Sequence, residues 1–450
     1  MASARAVGLL PRRIGPEIGI ALGVVAASLA AGVVAAHDAR LSIVLLVGLV
    51  GLAVSAREPA TLAVITFAGC WVVQRLGGTS TAPGSTGGIS YADALLAAAS
   101  VLALHGTVGT GAIPLLRVPL RGVLVYLAML TPSLAAHGST RAYLEWSHRA
   151  VLIGGGLLVG GWIAAQGRVR DAFRLLVGAS CLVALIAMQN TVRHGFKPAY
   201  PMGYHKNFAG SMLALTLIIC LVAPRWIDLP RRVHALAVVV LVVGLFATQS
   251  RGGLLEAALG ITIGFFYVPA RHRPGVRVLA VLATLAFVAF TVVSVKSQLD
   301  QKGTNARFNS ANTRLTVEKA ARAAWRTSPL DGVGLRYFTS GDPALPASPA
   351  NNIIDSELAE SGLIGVTGFL ILEGAVIIAC GRARDPLSVA ALAVVSGRLL
   401  HGMVDIYWTA GDSALPYLVA GMAIVARGAG GVSGAIAETR TQAVPSDVTA

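Results

Sequence analysis

The chain has 450 residues, 55% of them hydrophobic and only 13% charged, with 51 Gly and a mean hydropathy of +0.71. A soluble fold cannot bury that much apolar surface, and the apolar residues run unbroken for stretches such as Ile18 to Ala36 and Val278 to Val295. Such runs, as helix, cross a hydrocarbon core of about 30 Å. Short alternating strands are absent, which excludes an outer-membrane barrel. The net charge of +15 does not indicate a nucleic-acid partner, because the basic residues sit in turns between apolar segments.

Cys70, Cys181, Cys220 and Cys380 all lie inside apolar segments without a C-x-x-C pair, so neither a disulfide framework nor a zinc site is indicated. The pattern offers no Walker loop, no G-x-G-x-x-G turn and no other cofactor signature. Energy or activated substrate must therefore come from the membrane or from its far side.

In chain order, a cytoplasmic tail over 1–17 leads into a bundle over 18–295. Its spans fall near 18–36, 41–56, 59–76, 91–105, 120–136, 148–167, 173–189, 207–223, 234–249, 252–269 and 278–295. A long loop over 296–351 follows, then membrane helices over 352–427 with spans near 359–380, 387–403 and 414–427, and a Gly/Ala/Ser/Thr-rich tail over 428–450 read as disordered. The fold class is all-α and polytopic, with about 12 to 14 transmembrane helices. Arg5, Arg12 and Arg13 before the first span also suit a signal peptide, but its apolar stretch exceeds the 7–15 residues expected there. With the N-terminus inside, the inner turns hold roughly twice the Lys and Arg of the short outer ones. The longer loops at 77–90, 190–206 and 296–351 then face outward, and chemistry is expected there.

Several motifs lie at that face. Ser250-Arg251-Gly252-Gly253 joins two spans, and a guanidinium at the edge of hydrocarbon costs up to about 3 kcal/mol without a partner or water. Its fork suits a diphosphate, with the two glycines giving backbone N–H groups access to the same anion; the plainer account is an anchor paired with Glu256. Tyr204-His205-Lys206-Asn207 closes a cationic loop that can hold a pyrophosphate beside a sugar ring, or anchor lipid headgroups. In the long loop, Asn312 or Thr313 can cap an amphipathic helix through about Arg326, lying on the outer leaflet with Val317, Ala321, Ala324 and Trp325 on one side. Arg314 is a second diphosphate candidate, with a surface pair to Glu318 as the alternative, and Pro329 to Gly334 reads as a tight turn.

Asn351 to Gly365 opens a span with three carboxylates in six residues, Asp355, Glu357 and Glu360. Helix-dipole compensation explains part of this, while the paired Asn351 and Asn352 suit sugar hydroxyls. Arg398, His401 and Asp405 fall on one helix face beside Tyr407 and Trp408, as a supporting network.

The order of these motifs resembles the O-antigen ligase and polymerase superfamily of bacterial envelopes, over about residues 200–425: Tyr204 to Asn207, Ser250-Arg251-Gly252, a long loop with Trp325, Pro329-Leu330 and Gly332-Val333-Gly334, and Asn352 with Glu360 to Gly365. The resemblance implies a metal-independent integral-membrane glycosyltransferase fold, GT-C-like, without cofactor. It also implies transfer of a glycan from a polyprenyl diphosphate to an acceptor glycan, lipid or protein outside the cytoplasmic membrane. Where that family has His-Asn, this chain reads Asn351-Asn352, so its base must be another residue. The expected roles are Glu357, Asp355 and Asn351 for catalysis, Arg251, Arg314, His205 and Lys206 for the donor diphosphate, and Asn352, Tyr204, Trp325 and Glu360 for the glycan. Arg398, His401 and Asp405 support them, and membrane lipids are the other partner. A transporter or flippase for lipid-linked saccharides is the main alternative and a structural scaffold the third, although charges gather at outer ends rather than at the midplane where transporters place them.

Overall fold

The computed structural model describes residues 58–72, 90–267, 310–339, 349–408 and 411–442, with scattered helical positions between Val278 and Lys296. The tail 1–17, the spans 18–36 and 41–56, most of the loop 77–90 and parts of the loop 296–351 lie outside the described residues. Among the described residues the chain is helical and no strand occurs. The helices are α1 (Pro59–Gly69), α2 (Tyr91–Gly109), α3 (Arg117–Met129), α4 (Thr131–His137), α5 (Thr140–Ala150), α6 (Gly156–Ala165) and α7 (Val169–Arg193). They continue with α8 (Lys206–Val222), α9 (Arg231–Thr248), α10 (Arg251–Tyr267), α11 (Ser310–Thr327), α12 (Ile353–Gly381), α13 (Pro386–Gly402) and α14 (Gly411–Gln442).

Each expected span from 59–76 to 252–269, and each of the last three, overlaps a helix, although the helix in 59–76 ends at Gly69 and 120–136 divides between α3 and α4. Among the described residues, six stretches are long and apolar enough to cross a membrane: Tyr91–Gly109, Ile113–His137, Thr140–Ala165, Val169–Arg193, Arg231–Thr248 and Ile353–Gly381. Helix α14 continues to Gln442, through most of the tail whose composition suggested disorder.

Local chemistry sets the boundaries. Ser90 and Asp93 form a reciprocal capping box at the start of α2. Asp385 caps α13 with Pro386 at its first position. Gln249, in the left-handed conformation, ends α9 and turns the chain into α10. Between helices there is no hydrophobic drive in lipid, so close packing and buried polar contacts must hold them. Phe67, Tyr126, Phe173, Phe369 and Tyr417 fill one continuous core, while Val101, Leu124, Leu182 and Phe246 stay exposed on helix faces suited to lipid.

Helix α12 is broken at Gly362, whose φ is +65°. The segment after α11 fills the break: Val333 N–H donates to the Ala359 carbonyl at 2.8 Å and Gly334 N–H to that of Glu360 at 3.1 Å. In return, Leu363 N–H donates to Pro329 at 2.9 Å and Ile364 N–H to Leu330 at 3.1 Å. Backbone groups freed in a membrane helix need such partners. A Cβ on Gly362 would lie 2.3 Å from the Leu330 carbonyl carbon, so only glycine admits the strap. The sequence-level turn at Pro329 to Gly334 is therefore a docking element.

The amphipathic helix is present as α11, but its apolar side does not face lipid. Val317 and Ala321 pack with Phe338, Ala350 and Ala359, so α11 lies on the mouth of α12. Residues at the two ends of the bundle segregate: Arg168 pairs with Glu58 and Asp171, and Arg174 with Asp228, at one end. The starts of α8, α10, α11 and α12 gather with the 403–408 turn at the other.

Candidate active site

Lys206 is the first residue of α8 and Arg251 the first of α10. The two helices pack so closely that a Cβ on Gly253 would lie 2.6 Å from the Gly210 carbonyl carbon. The Ser250 hydroxyl meets Asn207 Oδ1 at 3.3 Å and accepts the Gly253 N–H at 3.1 Å. The two glycines serve helix contact, Gly252 against His401 and Gly253 against Gly210, and the Gly253 N–H is taken by Ser250.

The diphosphate candidates come together from three elements. The charges of Lys206, Arg251 and Arg314 act on one another, and His205 and Asp405 lie in the same field. Among the described residues none of the three cations has a carboxylate at ion-pair distance; the plainer accounts, Arg251 with Glu256 and Arg314 with Glu318, do not form. Glu256 is instead taken by His401 Nδ1 at 2.8 Å. Lys206 and Arg251 also sit at helix starts, where the macrodipole opposes a cation and favours an anion. Cations without a carboxylate partner among the described residues, two of them at helix N-termini, have the charge and donors that suit a multiply charged anion.

His205 caps α8, its Nδ1 accepting the Asn207 N–H at 3.3 Å. With Nδ1 an acceptor, the neutral ring carries its proton on Nε2 and can donate but not accept there. Burial pushes its pKa down, Lys206 and Arg314 add to that, and Asp405 opposes it. Asp405 lies past the end of α13 rather than on its face, 3.5 Å from His401 Nε2. Burial raises the Asp405 carboxyl, but the His401 hydrogen bond and charge outweigh it and hold the group well below the usual range. Arg398 supports the same turn from inside: it is 0% exposed, meets Asp412 at 3.2 Å and donates to the Tyr407 carbonyl at 2.5 Å.

The carboxylates at the α12 mouth separate. Arg149 Nη1 meets Glu357 Oε1 at 2.7 Å, Nη2 meets Glu360 Oε2 at 2.9 Å, and Nε meets Glu145 Oε1 at 3.0 Å. Glu357 also accepts from Trp408 Nε1 at 2.6 Å, Tyr126 at 3.1 Å and Ser361 at 3.0 Å. It is 0% exposed, so the base role read from sequence has no lone pair turned to a substrate, and Glu360 is likewise buried rather than open to a glycan. Asp355 is also buried, and it is held by Arg322, with Nη2 to Oδ2 at 3.0 Å and Nε to Oδ1 at 3.2 Å.

Two glycan candidates, Tyr204 and Asn352, also have other partners. Tyr204 is 2% exposed and stacks on Trp71 at 6.3 Å, so it belongs to the core. Asn352 caps α12, its Oδ1 accepting the Ile354 N–H at 2.9 Å, while Asn351 stays half-buried just ahead of it. Trp325 Nε1 donates to the Pro329 carbonyl at 3.1 Å. Asn352→Ala is expected to lower stability by about 1 kcal/mol, with Asn352→Asp near wild type, in thermal unfolding of the purified protein.

Sequence reasoning missed Arg149, Glu145, Arg336 and Glu373. Arg149 is 1% exposed, and Arg336 on the strap reaches Glu145 at 2.6 Å. Glu373 accepts from Tyr407 at 2.9 Å and Tyr417 at 2.5 Å midway along α12. For Glu373 the available signal was an ionisable residue inside an apolar run, which by default marks function or a buried partner. No curated protein matches the chain. Residues 236–370 match the family model described as O-antigen ligase, and across this segment, which holds Arg251, Arg314 and the strap on α12, the chain is similar to the O-antigen ligase and polymerase superfamily, as its motifs implied.

Proposed function

We propose that the protein is a membrane glycosyltransferase of GT-C-like fold with about 12 to 14 spans, moving or polymerising a glycan from a polyprenyl-diphosphate donor onto an acceptor hydroxyl. The carrying observation is the convergence of Lys206, Arg251 and Arg314, unpaired among the described residues, at one end of an apolar bundle. Arg251 and Arg314 grip the diphosphate, Lys206 adds charge, and His205 donates one neutral hydrogen bond from Nε2. These groups stabilise charge that grows on the bridging oxygen as the anomeric C–O bond breaks, so the leaving group needs little proton transfer. Attack from the opposite face inverts the anomeric centre. No step calls on a metal or cofactor.

Purified protein mixed with a polyprenyl-diphosphate oligosaccharide and candidate acceptors should release polyprenyl diphosphate and yield longer chains or conjugates. Donor crossing the bilayer with its glycan still attached would favour a flippase instead. The site faces away from the cytoplasm in this reading, supported by the charge bias of the short turns. Ala323→Cys, at an exposed position of α11, should therefore react with an impermeant maleimide in intact spheroplasts. Reaction only after lysis would reverse the orientation.

A further inference from the structure

Transfer to a hydroxyl requires a group that takes its proton, and the carboxylates first offered for this are engaged: Glu357 by Arg149, Tyr126, Trp408 and Ser361, and Asp355 by the fork of Arg322. Glu318 is different. It lies on α11 one turn after Arg314 and one turn before Arg322, so the three side chains form one stripe with neighbouring Cβ atoms about 5–6 Å apart. One end of the stripe is the donor cation Arg314; the other is fixed to the mouth of α12 through Asp355 at 3.0 Å. Glu318 is half-buried between them and makes no ion pair or side-chain hydrogen bond among the described residues.

We infer that Glu318 is the general base of the transfer, an inference that rests on the donor reading above. The acceptor O–H bond breaks as its proton passes to a Glu318 oxygen, and the hydroxyl oxygen bonds to the anomeric carbon. The bond from that carbon to the diphosphate breaks in the same event, leaving its electron pair on the diphosphate held by Arg251, Arg314 and Lys206. The proton then leaves Glu318 for water. Glu318 and Arg314 thus stand on one face of α11, Glu318 for the acceptor hydroxyl and Arg314 for the leaving diphosphate. Arg322, by holding Asp355, keeps the second carboxylate from competing for the proton and aligns α11 on α12.

The surroundings of Glu318 also suit the task. Burial raises its pKa, and Asp355 from α12 adds to this; Arg322 and Arg314 on its own helix pull the other way, and the net shift is upward. A base works deprotonated, so the rate is lost as pH falls through a value above that of an ordinary glutamate.

The test uses the full chain in liposomes, with a polyprenyl-diphosphate oligosaccharide as donor and free polyprenyl diphosphate as a binding probe. Glu318→Gln should lower kcat by at least about a hundredfold, leave KM for donor unchanged and remove the acidic limb of the pH profile, while Glu318→Asp keeps the limb at a reduced rate. Wild-type kcat in Glu318→Gln, or a slower rate that retains the acidic limb, overturns the inference. Polyprenyl diphosphate should bind Glu318→Gln as tightly as wild type but fail to bind Arg251→Ala. Wild-type protein that does not bind it would overturn the donor reading, and the base assignment with it.

Discussion

Arg251→Lys is expected to transfer glycan about 10²- to 10³-fold more slowly than wild type at matched protein amounts, close to the loss in Arg251→Ala. Lysine keeps the charge but not the planar two-point fork, and a diphosphate whose charge grows during bond breaking draws on both. An anchor that only snorkels toward headgroups would tolerate lysine. The geometry removes the competing structural account, because Glu256 is held by His401 and Arg251 has no carboxylate at ion-pair distance among the described residues. Thermal unfolding of both variants should match wild type, since no described partner loses its counter-charge. Transfer by Arg251→Lys at the wild-type rate would end the diphosphate assignment.

Arg149→Met is expected to act in the opposite way, lowering stability by about 3–5 kcal/mol. Its guanidinium is the common counter-charge of Glu145, Glu357 and Glu360 and lies over the Trp408 ring at 5.0 Å. Removing it leaves the buried Glu357 and Glu360 without a counter-charge, while Glu145 keeps Arg336 and His148. The expected result is early unfolding in detergent and low amounts in the membrane. Arg149→Lys should rescue only part of this, since one ammonium cannot reach three carboxylates. Unfolding of Arg149→Met at the wild-type temperature would show that the network is not what holds the α12 mouth.

The two arginines illustrate what a sequence carries and what it withholds. Arg251 was found because it interrupts the boundary between two apolar runs, a one-dimensional signal. Arg149 stands in the polar stretch Thr140–Ala150, and nothing local reveals that α12 will bring it two glutamates from more than 200 residues away. Asn352 was read as a sugar ligand when its local partner was the helix it caps, and Tyr204 as a platform when its partner was Trp71.

Helix positions followed from the sequence because in hydrocarbon each helix satisfies its own backbone, so apolar run length by itself determines where it lies. The gathering of cations at one end followed too, because a cation in hydrocarbon is costly and the basic residues collect at span ends. Only the tertiary structure decided which carboxylates are occupied: Glu357, Asp355 and Glu318 look alike in sequence, but their availability depends on which arginine packing delivers to each. Arg149 and Arg322 take the first two, and Glu318 is left between the donor cation and the mouth of α12, because a carboxylate's chemistry is set by the charges around it rather than by its own residue type.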